Sequence, residues 1–199
     1  MKKSKIKKEQ VCLDKTHWQP GTMLYPLPAV LVSCGTSPQE YNILTISWVG
    51  TVCSDPPMLS ISVRPERHSY DIIKNNMEFV VNLPSKNMAS VVDYCGVRSG
   101  SKENKWEACN LKPIESKHIK TPQIESCPVS IECKVKQILP LGSHDCFIAE
   151  VVGVSVFSDL INQNGRLQLE QAELISYVHG AYYAPGKFLG TFGYSVKKK

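Results

Sequence analysis

Between residues 30 and 63 the chain alternates β-rich runs with reversals it cannot avoid. That pattern limits the fold more than any other feature of the sequence. Val30–Cys34 (VLVSC) and the run at 43–52 are rich in branched and aromatic residues. They are divided by GTSPQEYN, whose Gly, Ser, Pro and Asn favour a loop. Asp55-Pro56-Pro57 forces the next reversal, because proline has no N–H to give to a ladder. Residues 58–63 (MLSISV) return as a strand with Ser60 and Ser62 on one face, and Ser69 is placed to cap a short helix at 70–75.

The rest of the chain continues the rhythm. Glu78–Leu83 (EFVVNL) reads as a strand, and 86–94 reads as a helix with Met88, Val91, Val92 and Cys95 on one face. Residues 95–106 (CGVRSGSKENKW) have the composition of an exposed loop. Two long strands are expected at 129–137 and 146–157 around the turn PLGSHD, and a short helix within 160–174. The closing stretch GAYYAPGKFLGTFGYS is expected to pack over an opening. Many short strands with a few helices outside them predict a mainly β (α+β) fold, a closed antiparallel barrel.

At 199 residues and 42% hydrophobic composition the chain suits one compact domain, taken as 16–196 between basic tails at 1–15 and 197–199. The net charge of +5 resides in those tails. Removing the eight terminal lysines from 23 basic residues leaves 15, and removing Glu9 from 18 acidic residues leaves 17. A slightly acidic body argues against nucleic acid as a partner, as does the lack of interleaved basic and aromatic strands. No apolar run reaches the ~18 residues of a membrane span, and no signal peptide is evident. The eight cysteines include no C-x-x-C pair or zinc spacing, so no metal is expected, and reduced thiols in a cytoplasm are expected instead.

The sequence also lacks G-x-G-x-x-G, a P-loop, G-x-S-x-G and H-E-x-x-H, so no catalytic residue is singled out. What stands out is the end of the 58–63 strand, where Arg64, His68 and Ser69 meet a helix start. Free N–H groups and the positive dipole end favour an anion there, with Arg64 offering forked donors and Ser69 a hydroxyl. Taken alone, these residues have plainer uses. Arg64 would pair with a surface carboxylate, Ser69 would cap the helix, Trp48 would be core and Asn42 a turn residue.

The order of motifs goes further. N-x-x-T-x-S-W-x-G (Asn42, Thr45, Ser47, Trp48, Gly50), then D-P-P and S-V-R-P-x-R, resembles the flavin reductase-like, FMN-binding split-barrel family, with the flavoredoxin branch nearest. The likeness continues at Cys95-Gly96, Ser99-Gly100 and Lys105-Trp106, in the turn Gly142-Ser143-His144-Asp145, and in the tail at Tyr182, Gly186 and Gly190. The resemblance implies an antiparallel Greek-key split barrel holding FMN. Asn42, Thr45, Ile46, Ser47 and Trp48 would line the ring together with Ser62. Arg64 and Ser69 would hold the phosphate with His68 nearby, and Lys105 would reach the flavin or its phosphate from the exposed loop, of the same chain or of the partner subunit. His144 and Tyr177 would approach the ring from the later strands. The chain departs from the family pattern in carrying Ser143 before His144, and in Trp106 where Phe is frequent, a larger ring expected to narrow the pocket. The resemblance further implies a homodimer, and either oxidation of NAD(P)H, with little preference between NADH and NADPH, or exchange of electrons with a partner protein. Redox sensing by Cys34 or Cys53 has no spacing behind it.

Overall fold

The computed structural model describes residues 14–196, so most of the N-terminal basic tail and all of the lysine tail lie outside the described residues. The chain opens with β1 (Leu27–Pro28), β2 (Val30–Cys34), β3 (Asn42–Ile46), β4 (Val49–Ser54) and β5 (Pro57–Val63). Helix α1 (His68–Asn76), β6 (Glu78–Leu83), α2 (Ala89–Val97) and α3 (Lys105–Ala108) follow. The short pair β7 (Pro113–Ile114) and β8 (Gln123–Ile124) precedes the long hairpin of β9 (Val129–Pro140) and β10 (Asp145–Val156). The last strands are β11 (Ser176–Val178) and β12 (Ala181–Tyr183).

Seven of these strands form one antiparallel sheet in the order β3-β2-β6-β9-β10-β5-β4. Its two edges, β3 and β4, are consecutive in sequence with only Ser47 and Trp48 between them. A sheet whose edges are joined so closely must curl on itself. The Ser62 N–H donates to the Trp48 carbonyl at 2.9 Å, which carries the β4–β5 ladder up to the break. The run expected as one strand at 43–52 is therefore two, broken where the barrel closes and splits.

Strand β2 is buried along its whole length because it has a core on each side. Val30, Val32 and Cys34 face the barrel interior with Leu44, Ile46, Ile61, Phe79 and Phe147. Helix α1 closes one end of that interior through Tyr70 and Ile73, the Tyr70 ring standing edge-on to Phe147 at 5.6 Å. The alternate residue Leu31, with Ile43, faces outward against Val92 and Cys95 of α2 and Trp106 of α3. Trp106 is thus a core residue here, its ring centroid 6.3 Å from that of Tyr41, and does not line the large cavity described below.

Several local expectations are corrected. Ser69 does not cap α1. Arg67 holds the cap position in extended conformation, and Ser69 is buried inside the first turn. Residues 86–94 start as a 3-10 turn at Lys86–Met88 and become helical only from Ala89. The expected helix within 160–174 is reduced to 3-10 turns at Ser158–Leu160 and Leu169–Ala172. In the tail, β11 pairs with β1 on one side and β12 on the other, and Gly180 and Tyr182 line a cavity, whereas Phe188, Leu189 and Phe192 remain exposed.

The loop at 115–123 is held against the barrel wall by two carboxylates. Glu78 accepts the Lys120 and Thr121 N–H groups, each at 2.8 Å. The fully buried Glu132 accepts the N–H groups of Lys117 and His118 and the side-chain amide of Gln123. All seven cysteines among the described residues are free thiols, and no helix there is long and apolar enough to cross a membrane.

Candidate functional site

Two cavities meet at the split in the barrel. The larger, about 440 Å³, is walled by the end of β3 and the Ser47–Trp48 break, by Ser62 to Arg64 at the end of β5, and by Gly96 of α2. Its far side is closed by His144, Tyr177 and Tyr182. The smaller, about 140 Å³, is lined by Asn42, His68, Ser69, Ser99, Gly100 and Lys105. Leu44 and Arg67 line both, which makes one two-part site. A wide cavity beside a small polar one suits a flat ring carrying a short, charged extension.

The small cavity is lined by three cations, Arg67, Arg98 and Lys105, and one carboxylate, Glu66. It lies at the start of α1, whose N-cap makes no side-chain hydrogen bond, so the first helical N–H groups are left for a ligand. Asn42 Nδ2 donates to Ser69 Oγ at 2.7 Å and ties β3 to that helix turn. Lys105, expected in an exposed loop, is instead fully buried. Helix α3 begins at that residue because Asn104 Oδ1 accepts the Trp106 N–H at 3.0 Å. Its ammonium donates to the carbonyls of Ile43 at 2.7 Å and Cys95 at 2.9 Å. Burial pulls the Lys105 pKa below the ordinary lysine value, against the smaller pull of the surrounding thiols. Among the described residues no carboxylate pairs with it. A buried cation with two neutral acceptors and no carboxylate counter-ion among the described residues attracts an anion.

The loop that completes this cavity is pinned from behind. Tyr94 of α2 donates to Glu103 at 2.6 Å, which brings Ser99 and Gly100 over Asn42. A Cβ on Gly100 would lie 2.2 Å from Asn42 Oδ1, so only glycine lets the loop approach this closely. Arg67, at the helix cap, donates through Nη1 to the Gly96 carbonyl at 3.0 Å.

In the large cavity the Thr45 hydroxyl donates to the Val92 carbonyl at 2.5 Å, leaving its oxygen to accept from a ligand. The indole of Trp48 lies nearly parallel to the His144 imidazole, with centroids 6.2 Å apart and planes at 12°. His144 Nδ1 is 2.9 Å from Ser143 Oγ, so the serine that departs from the family turn orients this ring. Burial, with Arg64 and Arg67 nearby, pushes the His144 pKa below the ordinary histidine value, against a smaller opposing pull from Glu66.

The expected residues thus divide. Thr45, Ile46, Ser47, Trp48, Ser62 and Arg64 share the large cavity with His144 and Tyr177, whereas Asn42, His68, Ser69 and Lys105 share the small one. Arg64 and Ser69 were expected to act together, and they do not share a cavity. Sequence reasoning passed over Arg67, Arg98, Ser99 and Gly100 as lining residues of the small cavity. Arg67 was visible as the second arginine of S-V-R-P-x-R, at the residue where the helix starts. Cys34 has no part as a reactive thiol, since full burial pushes it to about 12 despite a hydrogen bond from Ser69.

A model of the flavin reductase like domain matches residues 22–183, which spans both cavities and the barrel around them. The chain belongs to this family. An uncharacterized protein of Archaeoglobus fulgidus is similar to the chain, 34% identical over 132 residues, covering 66% of this chain and 73% of the relative. Among solved structures the flavoredoxin of Desulfovibrio vulgaris (Miyazaki F) superposes with a TM-score of 0.85 at 27% identity, covering 92% of this chain and 100% of that one. An FMN-binding protein from Thermus thermophilus shares the fold at a TM-score of 0.74 and 20% identity, covering 92% and 99%. The flavin reductase-like split barrel and the likeness to flavoredoxin are as the sequence motifs implied.

Proposed function

We propose that this flavin reductase-like protein binds FMN, with the isoalloxazine ring in the large cavity and the phosphate in the small one. It would transfer electrons from NAD(P)H to flavin or a downstream acceptor. The observation that carries the reading is Lys105, a buried ammonium without a carboxylate partner at the helix start. A single phosphate fits a cavity of about 140 Å³, which favours FMN over a flavin with a second large extension.

Bound FMN supplies the redox chemistry, and the protein supplies position and electrostatics. Lys105 and the first N–H groups of α1 would neutralise the phosphate, with Asn42 and Ser69 setting the width of that cavity. The Ser47–Trp48 break would bring main-chain groups to the ring edge, the Trp48 carbonyl being already held by the Ser62 N–H. Trp48 would leave a face of the ring accessible from solvent, being 41% exposed.

A flavoredoxin-type carrier, holding FMN without oxidising nicotinamide, is the second reading, and the likeness to the Desulfovibrio flavoredoxin favours it. Anaerobic titration of the FMN-loaded protein separates the two. Bleaching by NADH or NADPH supports the reductase. Reduction by dithionite alone supports the carrier.

We also infer a homodimer in a cytoplasmic setting. Trp18, Leu24, Phe188, Leu189 and Phe192 are each largely exposed, more apolar surface than a lone soluble chain usually shows. Sedimentation at two concentrations tests the dimer, and a monomer at both would contradict it.

A further inference from the structure

Another cavity, about 480 Å³, opens beside α3 and shares no lining residue with the two already described. Lys105 lines the small cavity, whereas its neighbour Trp106 lines this one. The walls include Pro38 and Tyr41 from the loop before β3, Trp106 and Glu107 of α3, and Leu111 and Pro113 from the chain that follows. Helix α3 ends at a left-handed residue, Asn110 at φ 51°, and the Leu111 N–H reaches back to the Trp106 carbonyl at 2.8 Å. That turn holds Leu111 against the apolar cluster containing Trp106 and so fixes one wall.

Trp106 leaves a polar group unsatisfied. It is only 6% exposed, and among the described residues its Nε1 is the one buried side-chain nitrogen or oxygen without a hydrogen-bond partner. The core around the ring is formed by Leu31, Ile43 and Val92, which have no side-chain acceptor. An acceptor for the indole N–H therefore has to come from the cavity, and a ligand oxygen placed there would relieve the penalty of an unpaired buried donor. The Tyr41 ring, its centroid 6.3 Å from that of Trp106, adds a second aromatic wall. Glu107 is the one charged residue in the lining, with Asn104 Nδ2 donating to it at 2.8 Å. A carboxylate with no cation beside it disfavours anions.

We propose that this cavity is a second ligand site, separate from the flavin site, for a small uncharged ring compound whose carbonyl or amide oxygen accepts the Trp106 N–H. The ring of the ligand lies against Tyr41, Leu111 and the two prolines, in a space of the size that small molecules occupy. Glu107 sets the preference for a neutral compound, in contrast to the small cavity with its three cations.

The test is NMR of the nitrogen-15-labelled protein as purified, in which each of the three tryptophans gives one indole N–H signal. The Trp106 signal is the one lost in W106F. Should that variant not fold, the same signal is known as the slowest to exchange with heavy water, since Trp18 and Trp48 are 74% and 41% exposed. The protein is titrated with benzamide, with benzoate and with toluene. Benzamide should move the Trp106 signal saturably and leave the other two in place. Benzoate should bind about tenfold more weakly, and toluene should not move the indole N–H as an acceptor does. W106F, read on the Leu111 amide signal, should bind benzamide about tenfold more weakly than wild type. A Trp106 signal that benzamide leaves unmoved overturns the proposal, as does one that toluene or benzoate moves equally. A shift confined to Trp48 overturns it by sending the ligand to the large cavity, and equal benzamide affinity in W106F overturns it by removing the hydrogen bond. None of these outcomes depends on the flavin reading.

Discussion

Asn42 and Ser69, 27 residues apart, are joined by a 2.7 Å hydrogen bond that couples the first residue of β3 to the first turn of α1. The bond fixes the floor of the small cavity, and Lys105 and Gly100 complete it. Because the large cavity begins two residues further along β3, at Leu44, this contact also sets the spacing between the two halves of the site.

Replacing Lys105 by methionine removes the charge and keeps much of the volume. Hydrogen bonds to charged groups contribute about 1.5–3 kcal/mol, so FMN should bind roughly 10- to 100-fold more weakly. Riboflavin, which has no phosphate, should bind wild type and K105M alike. An equal loss for both flavins would show that the lysine only supports the fold.

Gly100→Ala places a methyl group 2.2 Å from Asn42 Oδ1. The loop or the asparagine must then shift, at about 1–3 kcal/mol of stability. Thermal melts should show the loss, and FMN affinity should fall with it. A variant as stable as wild type would mean the loop is free to move away.

Glu132 provides a pH signature remote from the site. Burial opposes its charge, but the Lys117 and His118 N–H groups and the His118 ring outweigh burial and hold the carboxyl below the ordinary glutamate range. The stability it contributes is therefore fully present above the unfolded-state value, roughly 4.3, and fades as pH falls through the lower folded-state value. Glu132→Gln should lower the melting temperature at pH 7 and narrow the gap from wild type under acid. A gap that is independent of pH would show that the carboxylate is not held charged.

The thiols should be unequal. Burial pushes Cys34, Cys95 and Cys133 to about 12, and Cys127 still higher. In native protein at pH 8 these four should resist alkylation while the half-buried Cys53 reacts, as mass spectrometry of the labelled chain would show. Rapid labelling of Cys34 would reopen a redox role for it.

The parts of the fold written locally were legible in the sequence. Val30–Cys34 and Glu78–Leu83 have the bounds expected of them, since turn residues flank branched, apolar runs. What the sequence hid was decided at a distance. The break at Ser47–Trp48 belongs to barrel closure, and nothing in the surrounding β-rich run marks it. Lys105 lies in SGSKENK, whose composition speaks of solvent, yet the carbonyls of Ile43 and Cys95 draw it inside. Reading Ser69 as the cap started α1 too late, and so Arg67 was missed at the residue where the helix begins. That Thr45, Ser47, Trp48, Arg64, His144 and Tyr177 line one cavity follows from the order of motifs along the chain, since their individual chemistry does not reveal it.

The most direct measurement is the affinity of the purified protein for FMN and for riboflavin, followed by quenching of flavin fluorescence. The proposed placement of the ring in the large cavity and the phosphate beside Lys105 predicts that both quench and that FMN binds at least tenfold more tightly. Equal affinity for the two would contradict the phosphate site, and no quenching by either would contradict the flavin site as a whole.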